Sequence, residues 1–263
     1  LRLGVAGLGT VGAAVVRMVA RRAEALGQTS GQAIRVTAVS SRDRSRDRGL
    51  DLAGVTWFDD PVALATSGEV DCVVELIGGA EGPARQTVEA ALAAGKHVVT
   101  ANKALLAKHG AALARQAEAA GVALAYEASV AGGIPVIKAL REGLTGNAVS
   151  RVYGIMNGTC NYILTRMERD YLSMEEACGL ASDLGYLEAD PSADLDGHDA
   201  ANKLAILGQI TASVAHEINQ PVATIRTLCE NAQHHLTSGR TDRVAANLAT
   251  TVDLTARIGA ITQ

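Results

Sequence analysis

The sequence predicts an α/β fold, and three observations predict it. From residue 1 to about residue 128, short apolar runs alternate with Ala-rich helical stretches, the pattern of strands buried on both faces beneath helices. The string Gly7-Leu8-Gly9-Thr10-Val11-Gly12 follows the first apolar run directly and opens the first helical stretch. From Ser129 the texture changes to Gly-rich turns and longer helical segments.

Strands are expected over residues 2–6, 34–39, 72–76, 97–100 and 123–126, with helices between them. Residues 88–94 show the logic: a helical run stopped by Gly95, then a strand. Beyond Ser129 the pattern predicts a Gly-rich turn, a helix through Leu140, a strand over 149–156, and helices from Asn161 and over 174–184. A loop rich in Asp, Pro and Gly covers 185–197, and a helix begins near His198. From Gly208 on, Ile218, Val222, Ile225, Leu228 and Ala232 recur at helical spacing, and so do Val244, Leu248, Thr251, Leu254, Ile258 and Ile261. Residues 237–242 form the turn of a helical hairpin.

Two or three compact units are expected for 263 residues. Hydrophobic residues make up 48% and aromatic residues 3%, so the core is built from Ala, Val, Leu and Ile. A net charge of −4 gives no electrostatic reason to bind nucleic acid or an anionic membrane. The run Arg42-Asp43-Arg44-Ser45-Arg46-Asp47-Arg48 neutralises itself and reads as a solvated loop. Cys72, Cys160, Cys178 and Cys229 form no Cys-x-x-Cys pair and read as buried, reduced thiols. With no secretory signal pattern and no apolar stretch of spanning length, a cytoplasmic protein is expected.

In the glycine string, Gly7 permits a tight turn, Gly9 lets the backbone approach a pyrophosphate, and Gly12 lets helix pack on strand. The helix N-terminus at Thr10 and Val11 offers amides to the anion. This predicts a dinucleotide site in a Rossmann-like domain. Where a carboxylate would bond a free ribose 2′-hydroxyl, the second strand runs into Ser40-Ser41-Arg42. A guanidinium suits a 2′-phosphate, which favours NADP and leaves NAD open.

Thr100-Ala101-Asn102-Lys103 sits just past a strand's C-terminal end, where open α/β sheets place ligands. Gly185-Tyr186-Leu187-Glu188-Ala189-Asp190-Pro191 is followed by Asp194, then by Asp199 and Lys203, which four-residue spacing puts on one helix face. A calcium loop with Gly197 sixth would begin at Ser192 and end at Lys203, where acids are required, so that reading fails.

On five motifs in order, residues 1–207 resemble homoserine dehydrogenase: Gly7 to Gly12, Thr100 to Lys103, Glu127-Ala128-Ser129-Val130-Ala131-Gly132-Gly133-Ile134-Pro135, Asn157-Gly158-Thr159-Cys160-Asn161-Tyr162-Ile163, and Gly185 to Lys203. The resemblance implies hydride transfer between NAD(P) and C4 of homoserine, interconverting it with aspartate 4-semialdehyde. It implies Lys203 as proton donor and acceptor with Lys103 beside it near the nicotinamide, and Glu188, Asp199 and Asp194 on the substrate. Gly185 joins the cofactor residues. It also implies a monovalent cation such as sodium, held largely by main-chain oxygens at Glu127, Val130, Gly132 and Ile134. In the family the chain continues past Lys203 to complete the substrate domain, so a truncated α+β substrate domain is expected.

The string Ala215-His216-Glu217-Ile218-Asn219-Gln220-Pro221 resembles the phosphoacceptor hairpin of sensor histidine kinases. That resemblance implies a phosphoryl group accepted by His216, with Glu217 taking its proton, a kinase in trans and a response regulator as partners, and dimerisation through the apolar stripes. The expected division is therefore 1–128 for the nucleotide domain, 129–207 for a partial catalytic domain and 208–263 for the C-terminal hairpin. A homodimeric dehydrogenase, a phosphoacceptor hairpin on a non-catalytic NADP-binding domain, and an artificial chimera joined near Leu207 remain the competing readings.

Overall fold

The computed structural model describes residues 1–144, 147, 149–187, 191–210, 227–232 and 240–261. The chain divides into two compact units, one of residues 1–134 with 155–206 and the other of 135–154 with 207–263.

The first unit is built on a six-stranded parallel sheet. Its strands are β1 (Arg2–Ala6), β2 (Arg35–Ser40), β3 (Thr56–Phe58), β4 (Cys72–Glu75), β5 (His97–Thr100) and β6 (Leu124–Ala125), in the spatial order β3-β2-β1-β4-β5-β6. The order reverses between β1 and β4, which opens a crevice at their carboxyl ends. Register brings four strand ends level: Ala6 pairs with Ser40 on one side and Glu75 on the other, and Glu75 pairs with Thr100. The glycine string, Ser41-Arg42, Ile77 and Lys103 all follow that row, so residues far apart in sequence leave the sheet on one edge.

Helices cover the sheet because their apolar residues recur at helical spacing. Helix α1 (Thr10–Arg21) buries Gly12, Ala13, Val16 and Val19, and Val16 packs with Val5, Leu8, Val39 and Val74. Helices α2 (Ala23–Ser30) and α3 (Pro61–Thr66) follow, the latter capped by Asp60. Helix α4 (Pro83–Ala93) buries Ala84, Thr87, Val88, Ala91 and Leu92. Helix α5 (Lys103–Ala120) starts at Asn102, whose side chain accepts from the Leu105 amide, and stops at the left-handed Gly121.

After a 3₁₀ turn at Glu127–Ser129, the rest of this unit is helical: α7 (Gly158–Asp170), α8 (Met174–Asp183), α9 (Ser192–Leu195) and the 198–206 part of α10 (residues 198–210). Ser173 and Glu176 form a reciprocal capping box on α8. Ile163 of α7 packs on Ala177 and Ala181 of α8. In the second unit, α6 (Val136–Lys138) widens into a π turn over Ala139–Gly143. Residues 227–232 are helical, and α11 spans Thr241–Ile261.

Five expectations are corrected. Residues 149–156 form no strand, because no described strand pairs with them and a lone extended segment leaves its ladder groups unbonded. The three-residue edge strand β3 is too short to show a period. The loop over 185–197 contains the single turn α9. Of the cysteines expected to be buried only Cys72 is; Cys160 and Cys178 are half-buried, Cys229 is exposed, and the four are unbridged. In α11, Val244 and Thr251 are half-buried while Leu248 is 52% exposed, so Leu248 is not covered as part of an apolar stripe. His216, Glu217 and Glu188 lie outside the described residues. Among the described residues, no helix is long and apolar enough to cross a membrane.

Candidate active site

The glycine string forms the wall of a cavity of about 460 Å3 at the switch point. Gly7 has φ +102° and donates its amide to Ser40 O at 2.8 Å. A Cβ on Gly12 would stand 1.9 Å from Gly7 O, and a Cβ on Gly7 would stand 2.5 Å from Leu76 O. Both positions admit glycine alone. Gly9 differs: nothing lies within 4 Å of where its Cβ would be, so the backbone is open to an approaching ligand. No side chain caps α1, which leaves the first-turn amides at Thr10, Val11 and Gly12 for an anion.

The cavity is also lined by Ser40, Ser41, Arg42, Arg46, Arg48, Asp43, Asp59, Leu76 and Ile77. The alternating charge run is therefore not merely a solvated loop. Among the described residues Arg42 has no hydrogen-bond or ion-pair partner, whereas Arg48 is held by four main-chain and side-chain acceptors. Asp43 is held below the ordinary carboxylate range by hydrogen bonds from the Ser45 hydroxyl and amide. An open glycine, an uncapped helix start and a free guanidinium suit a dinucleotide. Lys103 and Gly185 lie outside these walls, and Gly185 closes α8 in a left-handed turn at φ +73°.

The second cluster gathers around Asp199, which is 4% exposed on α10. Its Oδ1 accepts from Lys103 Nζ, and its Oδ2 accepts from Lys203 Nζ at 2.7 Å and from Asn157 Nδ2 at 2.9 Å. Burial opposes its negative charge, but the hydrogen bonds from Lys103, Lys203 and Asn157 prevail and hold its pKa down at about 2. Lys203 Nζ also donates to Met156 O at 2.8 Å. Asn157 donates to Asp194 Oδ1 at 2.7 Å as well, while its Oδ1 caps α7 by accepting from the Cys160 amide. The four-residue step from Asp199 to Lys203 thus holds as predicted, and both of Asp199's oxygens are engaged within the protein.

Sequence reasoning missed Glu75. It is fully buried at the end of β4, where Oε1 accepts from the Ile77 and Gly78 amides and Oε2 from Thr100 Oγ1 at 2.5 Å. Thr100 Oγ1 in turn accepts from the Asn102 amide, and Asn102 Nδ2 donates to Gly79 O at 2.7 Å. One carboxylate thereby ties the cavity wall at Ile77 to the turn that presents Lys103. A lone acid closing the apolar run Cys72-Val73-Val74 was the available signal.

The loop of Glu127, Val130, Gly132 and Ile134 is continuous, and Ile134 donates its amide to Ala131 O. The carbonyls of Val130, Gly132 and Ile134 take no hydrogen bond among the described residues.

Comparison with known proteins places the chain in one family. The profile described as "Homoserine dehydrogenase, NAD binding domain" matches residues 7–127, and that described as "Homoserine dehydrogenase" matches residues 135–260, taking in much of the segment read as a separate hairpin. Homoserine dehydrogenase of Corynebacterium glutamicum is 47% identical over 204 residues, 78% of this chain and 45% of that protein. The homoserine dehydrogenase structure from Thiobacillus denitrificans superposes with a TM-score of 0.73 at 46% identity, covering 79% of this chain and 48% of that one. A putative homoserine dehydrogenase from Archaeoglobus fulgidus gives 0.70 at 35%, covering 80% and 68%. A hyperthermophilic archaeal homoserine dehydrogenase in complex with NADPH gives 0.69 at 27%, covering 80% and 69%. The chain spans about half the length of the curated relatives it matches. On two matched profiles that together run from residue 7 to residue 260, and on a solved relative covered over two thirds of its length, the chain belongs to the homoserine dehydrogenase family.

Proposed function

We propose that this chain interconverts L-homoserine and L-aspartate 4-semialdehyde with NADP, as a cytoplasmic homodimer divided near residues 128 and 207. The shared carboxylate of Asp199 between Lys103 and Lys203 carries the reading. When bound, the nicotinamide supplies or accepts the hydride at the substrate carbon. The turn from Gly7 to Gly12 and the start of α1 hold the pyrophosphate, and Arg42 takes the 2′-phosphate, consistent with the NADPH complex of the archaeal relative.

Lys203 moves the proton at the substrate oxygen. Two of its three N–H donors are directed to Asp199 and Met156 O, so one remains for that oxygen. Lys103, fixed by Asp199 from the other side, adds a second positive charge beside it. Asp194 has one oxygen on Asn157 and the other for the substrate ammonium, with Glu188 as its partner in that task. A sodium-like cation at Glu127, Val130, Gly132 and Ile134 stiffens the loop that follows β6. Homoserine-dependent reduction of NADP, followed at the absorbance of the reduced cofactor, tests the reading. Activity lost in Lys203→Ala with nucleotide binding intact is expected. Nucleotide binding by the wild type without turnover defeats it.

A second reading rests on the string from Ala215 to Pro221: a phosphoacceptor hairpin in which His216 takes a phosphoryl group and Glu217 its proton. Incubation with a complete sensor kinase and labelled ATP tests it. Label on the wild type and none on His216→Gln supports the hairpin, and equal label on both removes it.

A further inference from the structure

Arg48 stands in the wall of the nucleotide cavity, yet its guanidinium is turned into the protein. Nε donates to Leu8 O at 2.9 Å, inside the glycine turn. One terminal nitrogen donates to Arg46 O at 2.7 Å, and the other to Ser41 Oγ at 3.0 Å and Asp43 O at 2.7 Å. Four of the five N–H donors of an arginine are thereby used, so the group has little left for a ligand. Its carbon lies 5.8 Å from the centre of the Trp57 ring, which carries Arg44 at 5.7 Å as well. The backbone at Arg48 is anchored separately, since Arg17 of α1 donates to Arg48 O at 3.0 Å.

The acceptors of Arg48 bracket Arg42. Ser41 precedes it, Asp43 follows it, and Leu8 belongs to the turn that approaches the pyrophosphate. Arg42, between them, lines the cavity without a partner of its own among the described residues. A planar, five-donor fork can hold three separate segments at once; an ammonium, with one nitrogen, cannot hold them in that arrangement.

We propose that Arg48 is the positioning residue for cofactor discrimination: it clamps the loop after β2 to the glycine turn, so that Arg42 is aimed where a ribose 2′-phosphate sits. This rests on the NADP reading of the site and adds the residue through which Arg42 acts. Without the clamp, the loop loses its fixed distance from Leu8, and the phosphate-specific part of the affinity goes while the pyrophosphate contacts from the uncapped helix remain.

Titration calorimetry of the full chain with NADPH and with NADH tests this. Arg48→Lys keeps the charge and removes the fork. NADPH affinity is expected to fall about tenfold, in line with the loss of one or two charge-assisted hydrogen bonds, and NADH affinity to change less than about threefold. Arg42→Ala is expected to give a similar selective loss, and the double variant to lose little beyond the worse single variant, because both act on one contact. Arg48→Gln is the second probe and follows Arg48→Lys. Equal losses for both nucleotides in either Arg48 variant, no loss in either, or multiplying losses in the double variant overturns the proposal. If the wild type binds NADH as tightly as NADPH, or Arg42→Ala leaves NADPH binding unchanged, the NADP reading itself falls and takes this proposal with it.

Discussion

Lys103, the first residue of α5, and Asp199, on α10, form an ion pair across a sequence separation of 96 residues. The same carboxylate receives Lys203, one turn further along its own helix. Asp199→Asn is expected to reduce turnover at least about a hundredfold with little change in nucleotide affinity, because it leaves two ammonium groups with a single neutral acceptor. Steady-state kinetics beside nucleotide titration checks this, and a parallel loss of both quantities would point to misfolding instead.

Asp199 also sets a pH dependence of stability. Its folded pKa of about 2 lies below the ordinary value near 3.9, so its contribution is fully present above that ordinary value and is lost as pH falls toward 2. A depression of this size corresponds to about 2 kcal/mol. Denaturation midpoints of the wild type are expected to drop more steeply than those of Asp199→Asn between about pH 4 and pH 2. Parallel curves for the two proteins would contradict the assignment.

Glu75→Ala is expected to destabilise the first unit by about 2 kcal/mol, since two part-buried amides and a buried hydroxyl lose their acceptor. Glu75→Gln retains the volume and one carbonyl acceptor, and its cost is expected to be about half as large. Urea denaturation of the three proteins, with equal slopes, gives the comparison.

The two outer glycines of the turn and the middle one separate folding from binding. Gly12→Ala places a methyl against Gly7 O and is expected to lower both thermal stability and nucleotide affinity. Gly9→Ala meets nothing in the protein and is expected to keep the melting temperature within about 2 °C while nucleotide affinity falls about tenfold. An unchanged affinity in Gly9→Ala would mean that no ligand approaches that backbone.

Asn157 caps α7 and holds two carboxylates with one amide nitrogen. Asn157→Ala is expected to cost about 1 kcal/mol as a lost cap. A further effect on the KM for homoserine is expected as Asp194 loses the side-chain donor that Asn157 supplies. Asn157→Asp, which restores the cap but places a third carboxylate beside Asp194 and Asp199, is expected to recover stability without recovering KM.

The sheet was legible where burial on both faces leaves an unbroken apolar run, as in Cys72-Val73-Val74, and the helices where a residue such as Gly95 marks an end. Short elements carry too few residues to show a period, which is why β3 and α9 escaped. The step from Asp199 to Lys203 was readable because a helix fixes it locally. The meeting of Asp199 with Lys103, and of Glu75 with Thr100, depends on which strands lie side by side, and spacing along a chain does not contain that. The arginine run is exposed over 42–47 as expected, but self-neutralising charge looks the same whether it faces water or folds back on main-chain carbonyls, so the role of Arg48 was not legible. His216, Glu217 and Glu188 stand on the sequence alone.

Trp57 is the chain's only tryptophan, lies against two guanidinium groups and donates its indole nitrogen to Asp59 at 3.1 Å. Asp59 and Arg48 both belong to the cavity wall. The protein therefore carries its own optical gauge: light emitted by that single ring reports the order of the surrounding loop without any attached dye, and a reduced nicotinamide nearby would draw that energy off.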